Sequence, residues 1–176
     1  STIDTSSGAV LSGVTLKAPE SATVVTPTTT LMKEGNLTVK QVASVLGLPD
    51  GVDPLTFNPY ADGVSASDAL AVDKASQQIM SVVNAFASTA EGAGATEAAA
   101  YTAALNSIVE VVKTKAAASD TLDLSNTADL ALIKAQVITE VASIENDSVE
   151  TTTALDDLAD DTATAVENVN TEIAKA

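Results

Sequence analysis

The sequence contains no cysteine, no histidine and no arginine. Without cysteine it has no disulfide, no thiolate metal ligand and no cysteine nucleophile. The absence of histidine removes the commonest general base and metal ligand at neutral pH. All eight basic residues are lysine, so the bidentate clamps that arginine forms on phosphate groups are also excluded. Serine and threonine are plentiful, but no histidine can activate them, and we expect that the protein is not an enzyme.

Positive charge is scarce as well. Eight lysines stand against 24 acidic residues, which gives a net charge of −16 at pH 7. A charge of this sign and size repels the phosphates of nucleic acids and of anionic membrane surfaces. The apolar runs are too short to span a bilayer. We therefore expect neither a nucleic-acid partner nor membrane insertion.

The residues that are abundant predict a mainly α-helical protein. The sequence has 32 alanines, and its five prolines all lie in the first third. Four helical periodicities follow, over Ser67 to Thr89, after the cap Thr96, over Thr127 to Glu145 and after Asn146. The second carries an apolar stripe of Ala98, Tyr101, Leu105, Ile108 and Val112, and the last carries Leu155, Leu158, Val166, Val169 and Ile173. Short breaks between such helices favour antiparallel neighbours. The sequence predicts an Ala-rich antiparallel bundle of about four long helices, with a short N-terminal strand or hairpin segment and short helices.

The N-terminal third has a different pattern. Alternating apolar residues over Gly8 to Ala18 predict a half-buried strand, in a hairpin with Ala22 to Thr26. Thr26-Pro27 and Thr38 are start signals for two short helices. The stretch from Leu48 to Gly63 contains three prolines and reads as an ordered loop. We expect residues 1–64 to pack on a bundle formed by residues 65–176, as one compact domain.

Two stretches carry a resemblance. They are TIDTSSGAVLSGVTLKAPESATVVTPTTTLM (Thr2 to Met32) and VKQVASVLGLPDGVDPLTFNPYADGVSASDALAV (Val39 to Val72). Over about residues 2–86 the chain resembles a module of large bacterial, often marine, extracellular adhesin-like proteins that depend on calcium. The resemblance implies an extracellular or cell-surface location and a structural or adhesive role.

The Pro-rich loop also holds the candidate metal ligands. A calcium loop of the EF-hand type needs oxygen ligands at positions 1, 3 and 5 and glycine at position 6. Asn58, Asp62 and Gly63 match positions 1, 5 and 6, whereas Tyr60 does not match position 3. With the nearby acidic pair, the predicted ligands of a calcium ion are Asp50, Asp53, Asn58 and Asp62. The other interpretation of the same residues is turn and helix-capping chemistry without an ion.

Two function hypotheses follow. The first is a non-catalytic structural module that associates with copies of itself or with neighbouring domains of a larger surface protein. In it the N-terminal strand, with Val10, Val14 and Leu16, adds to a neighbour's sheet edge and can build a filament. The second is a calcium- or ligand-binding extracellular domain. We also expect Phe57 and Tyr60 to anchor the Pro-rich loop on the bundle. The acidic run Asp156, Asp157, Asp160 and Asp161 is either a solvated helix face or a site of weak divalent-cation binding or of contact with a lysine-bearing neighbour.

Overall fold

The computed structural model of the chain describes residues 2–3, 10–11, 15–145 and 149–176. Six helices and two short strands lie in these ranges. The strands are β1 (Thr2–Ile3) and β2 (Val10–Leu11), and the helices are α1 (Pro27–Gly35), α2 (Val39–Val45), α3 (Ala66–Gly92), α4 (Glu97–Ala118), α5 (Thr127–Glu145) and α6 (Val149–Lys175). The prediction of a mainly helical protein is confirmed.

The four long helices form an antiparallel bundle. Helices α3 and α5 each pack against both α4 and α6. Near the start of α3, Lys74 Nζ donates a hydrogen bond to the carbonyl oxygen of Ala174, at the end of α6, over 2.9 Å. Near the end of α3, the hydroxyl of Thr89 lies 2.6 Å from that of Thr162, in the middle of α6. Residue numbers therefore rise along one helix as they fall along the other.

Local capping chemistry fixes where the two short helices begin. Thr26 Oγ1 accepts a hydrogen bond from Thr29 N over 3.1 Å, and Thr29 Oγ1 accepts one from Thr26 N over 2.8 Å. Thr38 and Gln41 form the same reciprocal pair at the start of α2. Such capping boxes satisfy backbone N–H groups that have no partner inside the helix. The threonines that were predicted to start these helices do so.

Helices α1 and α2 lie against α4, and α1 also contacts α3. Leu31, Val42 and Val45 are fully or almost fully buried in this packing. The carbonyl oxygen of Val45 accepts a hydrogen bond from Leu122 N over 2.8 Å, which joins the end of α2 to the α4–α5 connection. Ser65 caps α3 by accepting a hydrogen bond from Asp68 N, next to the predicted boundary between residues 64 and 65.

The predicted N-terminal strand is not seen as such. Antiparallel pairing joins only Thr2–Ile3 to Val10–Leu11. Residues 15–19 have no strand structure, and neither do residues 22–26, so the predicted hairpin between these segments is wrong. The physical reason is that the backbone of Lys17 bonds to a helix instead of a strand, as described below. The other residues of the predicted strand, 8–9 and 12–14, lie outside the described residues.

The apolar stripes are confirmed in part. Tyr101, Leu105, Ile108 and Val112 of α4 are buried, and so are Leu155 and Val166 of α6. Ala98 is exposed, and Leu158 and Val169 are half exposed. On α6 the inner positions belong instead to Ala159 and to the polar Asn170, which are both fully buried. Leu158 and Val169 each precede a buried residue by one position, so they also fit an apolar periodicity of three to four residues. The sequence pattern therefore assigned them to the buried face, which was wrong.

Candidate functional site

The Pro-rich loop presents the four predicted calcium ligands to solvent. Asp50, Asp53, Asn58 and Asp62 are all exposed. Asp53 Oδ1 accepts a hydrogen bond from Leu55 N, and Asn58 Oδ1 accepts one from Tyr60 N, both over 3.0 Å. These contacts are the turn chemistry that was the second interpretation of the loop. In the ranges that the structure describes, no three histidine, cysteine or acidic side chains lie close enough together to share a metal ion. Calcium binding stays a prediction.

Smaller residues than expected anchor this loop. Val52 and Pro54 are buried, whereas Tyr60 is 80% exposed and Phe57 is half buried. The prediction that Tyr60 anchors the loop is therefore wrong. The Asn58 contact turns the backbone at Tyr60, and the ring remains in solvent. An exposed tyrosine offers an apolar face and a hydroxyl group to a partner.

The three residues proposed for an assembly strand have separate locations. Val10 lies in β2, and Val14 lies outside the described residues. Leu16 packs against the hydrophobic core of its own chain. Its neighbour Lys17 is held by α1: the amide of Lys17 donates to Thr30 Oγ1 over 2.9 Å, and its ammonium group lies 3.0 Å from Glu34 Oε1. The chain from Leu16 onward is thus attached to the bundle.

Two threonines of a buried run of three hold this attachment, whereas Thr28 Oγ1 has no hydrogen-bond partner among the described residues. Thr28, Thr29 and Thr30 are almost completely buried. The hydroxyls of Thr29 and Thr30 both donate to the carbonyl oxygen of Lys17, over 3.3 and 3.0 Å. Triple threonine in a helix start is typical of an exposed polar turn, and sequence reasoning missed its burial. The missed signal is that a threonine buried in a helix can satisfy its hydroxyl by bonding to nearby backbone carbonyls.

Lys115 joins α4 to the start of α5. Its ammonium group lies 2.7 Å from Asp129 Oδ1 and 2.9 Å from Asp120 Oδ2. The other oxygen of Asp129 accepts a hydrogen bond from Asp123 N over 2.8 Å. Hydrogen bonds to Asp129 and then to Asp120 raise the pKa of Lys115 above its ordinary value. The ammonium group of Lys115 therefore stays charged beside the acidic connection in which the chain turns from α4 into α5.

Lys134 of α5 is the lysine that the acidic run on α6 contacts. Its ammonium group lies 2.7 Å from Asp160 Oδ1 and 2.9 Å from Asp156 Oδ1. Hydrogen bonds to these carboxylates, Asp160 first, raise the pKa of Lys134. Asp157 and Asp161 point to the solvent side and are exposed. The lysine contact is therefore made within the chain, by Asp156 and Asp160, and all four carboxylates of the run are exposed. Divalent-cation binding by the run stays a prediction.

Asn170 is a polar residue at the centre of three elements. It is fully buried, and its Nδ2 donates to the carbonyl oxygen of Leu124 over 2.7 Å. Its own backbone carbonyl accepts a hydrogen bond from Gln78 Nε2 over 3.1 Å. The contacts connect α6 to the α4–α5 connection and to α3. No sequence signal separated Asn170 from the neighbouring exposed Asn168, because only the tertiary packing distinguishes them.

No protein-family model matches the chain, and no curated protein or solved structure matches it either. Among the described residues, no helix is both long enough and apolar enough to cross a membrane. The family resemblance and the extracellular location therefore stay predictions. The functional conclusion has to come from the residues themselves.

Proposed function

We propose that this chain is a non-catalytic structural module of an extracellular bacterial surface protein, which works by associating with copies of itself and with neighbouring molecules or domains. One observation carries the proposal. Several polar side chains that are sheltered from solvent join separate elements, and in the described residues no three acidic, histidine or cysteine side chains lie close enough together to share a metal ion. Lys115, Lys134 and Asn170 each join two or more elements in this way. The use of these three groups to connect elements supports a structural role.

The proposed route of self-association is the opening segment. Strands β1 and β2 pair over only two residues each, in a sheet of two strands. An isolated two-stranded ladder is marginally stable at best in water, and its outer edges are templates for further strands. A strand from another copy would extend this sheet. Because Leu16 packs on its own core, the association surface ends before residue 15.

Removal of residues 1–14 tests this route. The truncation retains Leu16 and Lys17, so the attachment to α1 is kept and the bundle should fold. We expect the truncated protein to keep its helical circular dichroism and to lose self-association in sedimentation experiments. Self-association that is unchanged after truncation would rule out the opening segment as the assembly element.

Calcium or ligand binding by the Pro-rich loop is the second candidate. The observation that favours it is that all four predicted ligands are exposed on a loop that Val52 and Pro54 anchor. Calorimetry with millimolar calcium should give heat with the parent protein and none with Asp53→Asn/Asp62→Asn. Glu20→Gln/Glu97→Gln, which removes the same charge at two other exposed positions, is the control. No heat with the parent protein would remove this candidate.

A further inference from the structure

A row of apolar side chains on α6 is exposed or half exposed. Leu158 is 45% exposed and Val169 is 50% exposed, and Ala165 between them is exposed as well. The spacings of seven and four residues put the three on one side of the helix, over a length of about 16 Å. We call these three residues the α6 seam.

The α6 seam lies beside the groove between α6 and α3. Thr162, one turn after Leu158, is within 2.6 Å of Thr89 of α3 through its hydroxyl. A helix that packs on the seam would therefore also reach α3, as a fifth helix does on a four-helix bundle. Amphipathic helices bind in such grooves through apolar residues spaced three, four and seven apart.

Acidic residues line the solvent side of the seam. Asp157 and Asp161 are exposed, and neither forms an ion pair with any residue that the structure describes. Over its whole length α6 carries seven acidic residues and one lysine, which is a net charge of −6. An apolar row with a negative border is complementary to a helix whose apolar stripe has a positive border.

We infer that the α6 seam is a docking surface for an amphipathic helix with lysine or arginine beside its apolar stripe, supplied by a neighbouring protein or domain. A second copy of this chain is a poorer match in charge, since none of its described helices of eight or more residues has a positive net charge. Among the described helices of eight or more residues, α1 and α4 have a net charge of zero and α3, α5 and α6 are negative. The inference rests on the proposed function, because it names the partner for neighbour association.

A synthetic helical peptide is the probe for this surface. It has about 21 residues, with leucines at the seven- and four-residue spacing of the seam and lysines at the adjoining positions. A scrambled peptide of the same composition has the same charge and no stripe. At 0.15 M salt, where long-range attraction is screened, we expect the striped peptide to bind the full chain about tenfold more tightly by fluorescence anisotropy. Equal binding of the two peptides would overturn the inference.

Variants of the apolar row locate the site. Leu158→Ser/Val169→Ser should weaken binding of the striped peptide by about tenfold, because it removes the two large apolar contacts. The matched control is Leu70→Ser/Leu132→Ser, which changes two similarly exposed side chains on other helices and should have an effect of less than about twofold. Thermal melting by circular dichroism checks that both variants fold. Equal losses in the two variants would overturn the assignment.

Variants of the acidic border test the charge. Asp157→Asn/Asp161→Asn should weaken binding several-fold and lower its salt dependence. Glu20→Gln/Glu97→Gln removes the same net charge at two exposed positions on other parts of the chain and should have little effect. Equal losses of affinity in the two variants would mean that the peptide responds to the total charge of the protein. That result would overturn the role assigned to the acidic border.

Sedimentation of the protein alone separates this inference from the proposed function. If Leu158→Ser/Val169→Ser abolishes self-association, a second copy occupies the seam and the assigned partner is wrong. If the parent protein self-associates and the seam variants bind the striped peptide as tightly as the parent does, the docking surface is wrong and the proposed function stands.

Discussion

Helices α4 and α6 belong to one bundle, but many residues of α4 are buried whereas most described residues of α6 are exposed or half buried. Eleven residues of α4 are buried, among them Ala103, Ile108 and Val112. In α6, over residues 153–176, four are buried: Leu155, Ala159, Val166 and Asn170. The net charge is zero on α4 and −6 on α6.

The difference follows from the number of helices that cover each one. Helix α4 packs against α1, α2, α3 and α5, whereas α6 packs against α3 and α5. A helix that other helices cover on most sides needs small, apolar side chains on those sides. Helix α6 keeps a narrow inner row and uses the rest of its surface for carboxylates and for the α6 seam. Coverage therefore determines composition, and of the four long helices α6 packs against the fewest described elements.

The largest expected effect is a cavity in α4. Ile108 is fully buried, so Ile108→Ala should lower the free energy of unfolding by about 3 kcal/mol. The matched change on α6, Val169→Ala, should cost less than about 0.5 kcal/mol because the side chain is half exposed. Urea denaturation followed by circular dichroism measures both values. Equal losses in the free energy of unfolding would contradict the difference in burial between α4 and α6.

Asn170 is the position where α6 should behave like α4. Asn170→Ala removes the donor to the carbonyl oxygen of Leu124, and it also removes Asn170 Oδ1, which is buried without a hydrogen-bond partner among the described residues. Because the second effect offsets part of the first, we expect a loss of about 1.5 kcal/mol in the free energy of unfolding. Asn168→Ala, at an exposed position two residues earlier, is the control and should be close to neutral. A neutral Asn170→Ala would mean that the contact contributes nothing.

A smaller effect is expected at the ion pairs between α5 and α6. Lys134→Met should lower the free energy of unfolding by at most about 1 kcal/mol, because Asp156 and Asp160 are largely exposed and salt screens the pairs. The carboxylates raise the pKa of Lys134 from 10.5. The stabilisation is therefore present below pH 10.5 and is lost as the pH rises through the raised value.

The control for this pair is Lys113→Met. Among the described residues Lys113 pairs with Glu110 alone, on its own helix, and it should contribute less. A larger effect of Lys113→Met than of Lys134→Met would contradict the role of Lys134 in joining two helices.

The smallest effect, and one of opposite sign, is expected at Tyr101. Its hydroxyl is buried and has no hydrogen-bond partner among the described residues. Tyr101→Phe should therefore be neutral or stabilising by up to about 1 kcal/mol at pH 7. Burial raises the pKa of Tyr101 from 10.0 to about 12. The folded state holds its proton more tightly, so the parent protein should lose stability between pH 10 and pH 12.

The test is a pair of pH profiles of thermal melting. Tyr101→Phe should lose less stability than the parent protein above pH 10. A clear destabilisation at pH 7 would show that the hydroxyl has a favourable contact.

The predictable features were those with local causes. Thr26-Pro27, Thr38 and Thr96 signalled helix starts because a cap acts within its own turn, and those helices begin there. The burial of Thr30, the lysine partner of Asp160 and the position of Asn170 depend on residues far away in the chain. A buried polar residue that finds its hydrogen-bond partner within the protein has the same local sequence pattern as a polar residue in solvent.

The candidate sites show the same limit. The residues that form turns in the Pro-rich loop could be named from the sequence, because Asp53 and Asn58 each bond two residues ahead. Residue spacing did not indicate whether these side chains meet around an ion. The sequence did not predict the α6 seam. Leu158 and Val169 fitted the apolar periodicity of the buried face of α6, and only the tertiary packing shows that they lie beside that face.

Native mass by light scattering, for the full chain and for the chain without residues 1–14, tests the proposed function most directly. We predict that the full chain has a mass at least twice 17.7 kDa at high protein concentration, and that the truncated chain is a folded monomer. A full chain that remains at 17.7 kDa at every concentration, in calcium and in chelator, would contradict assembly through the opening segment.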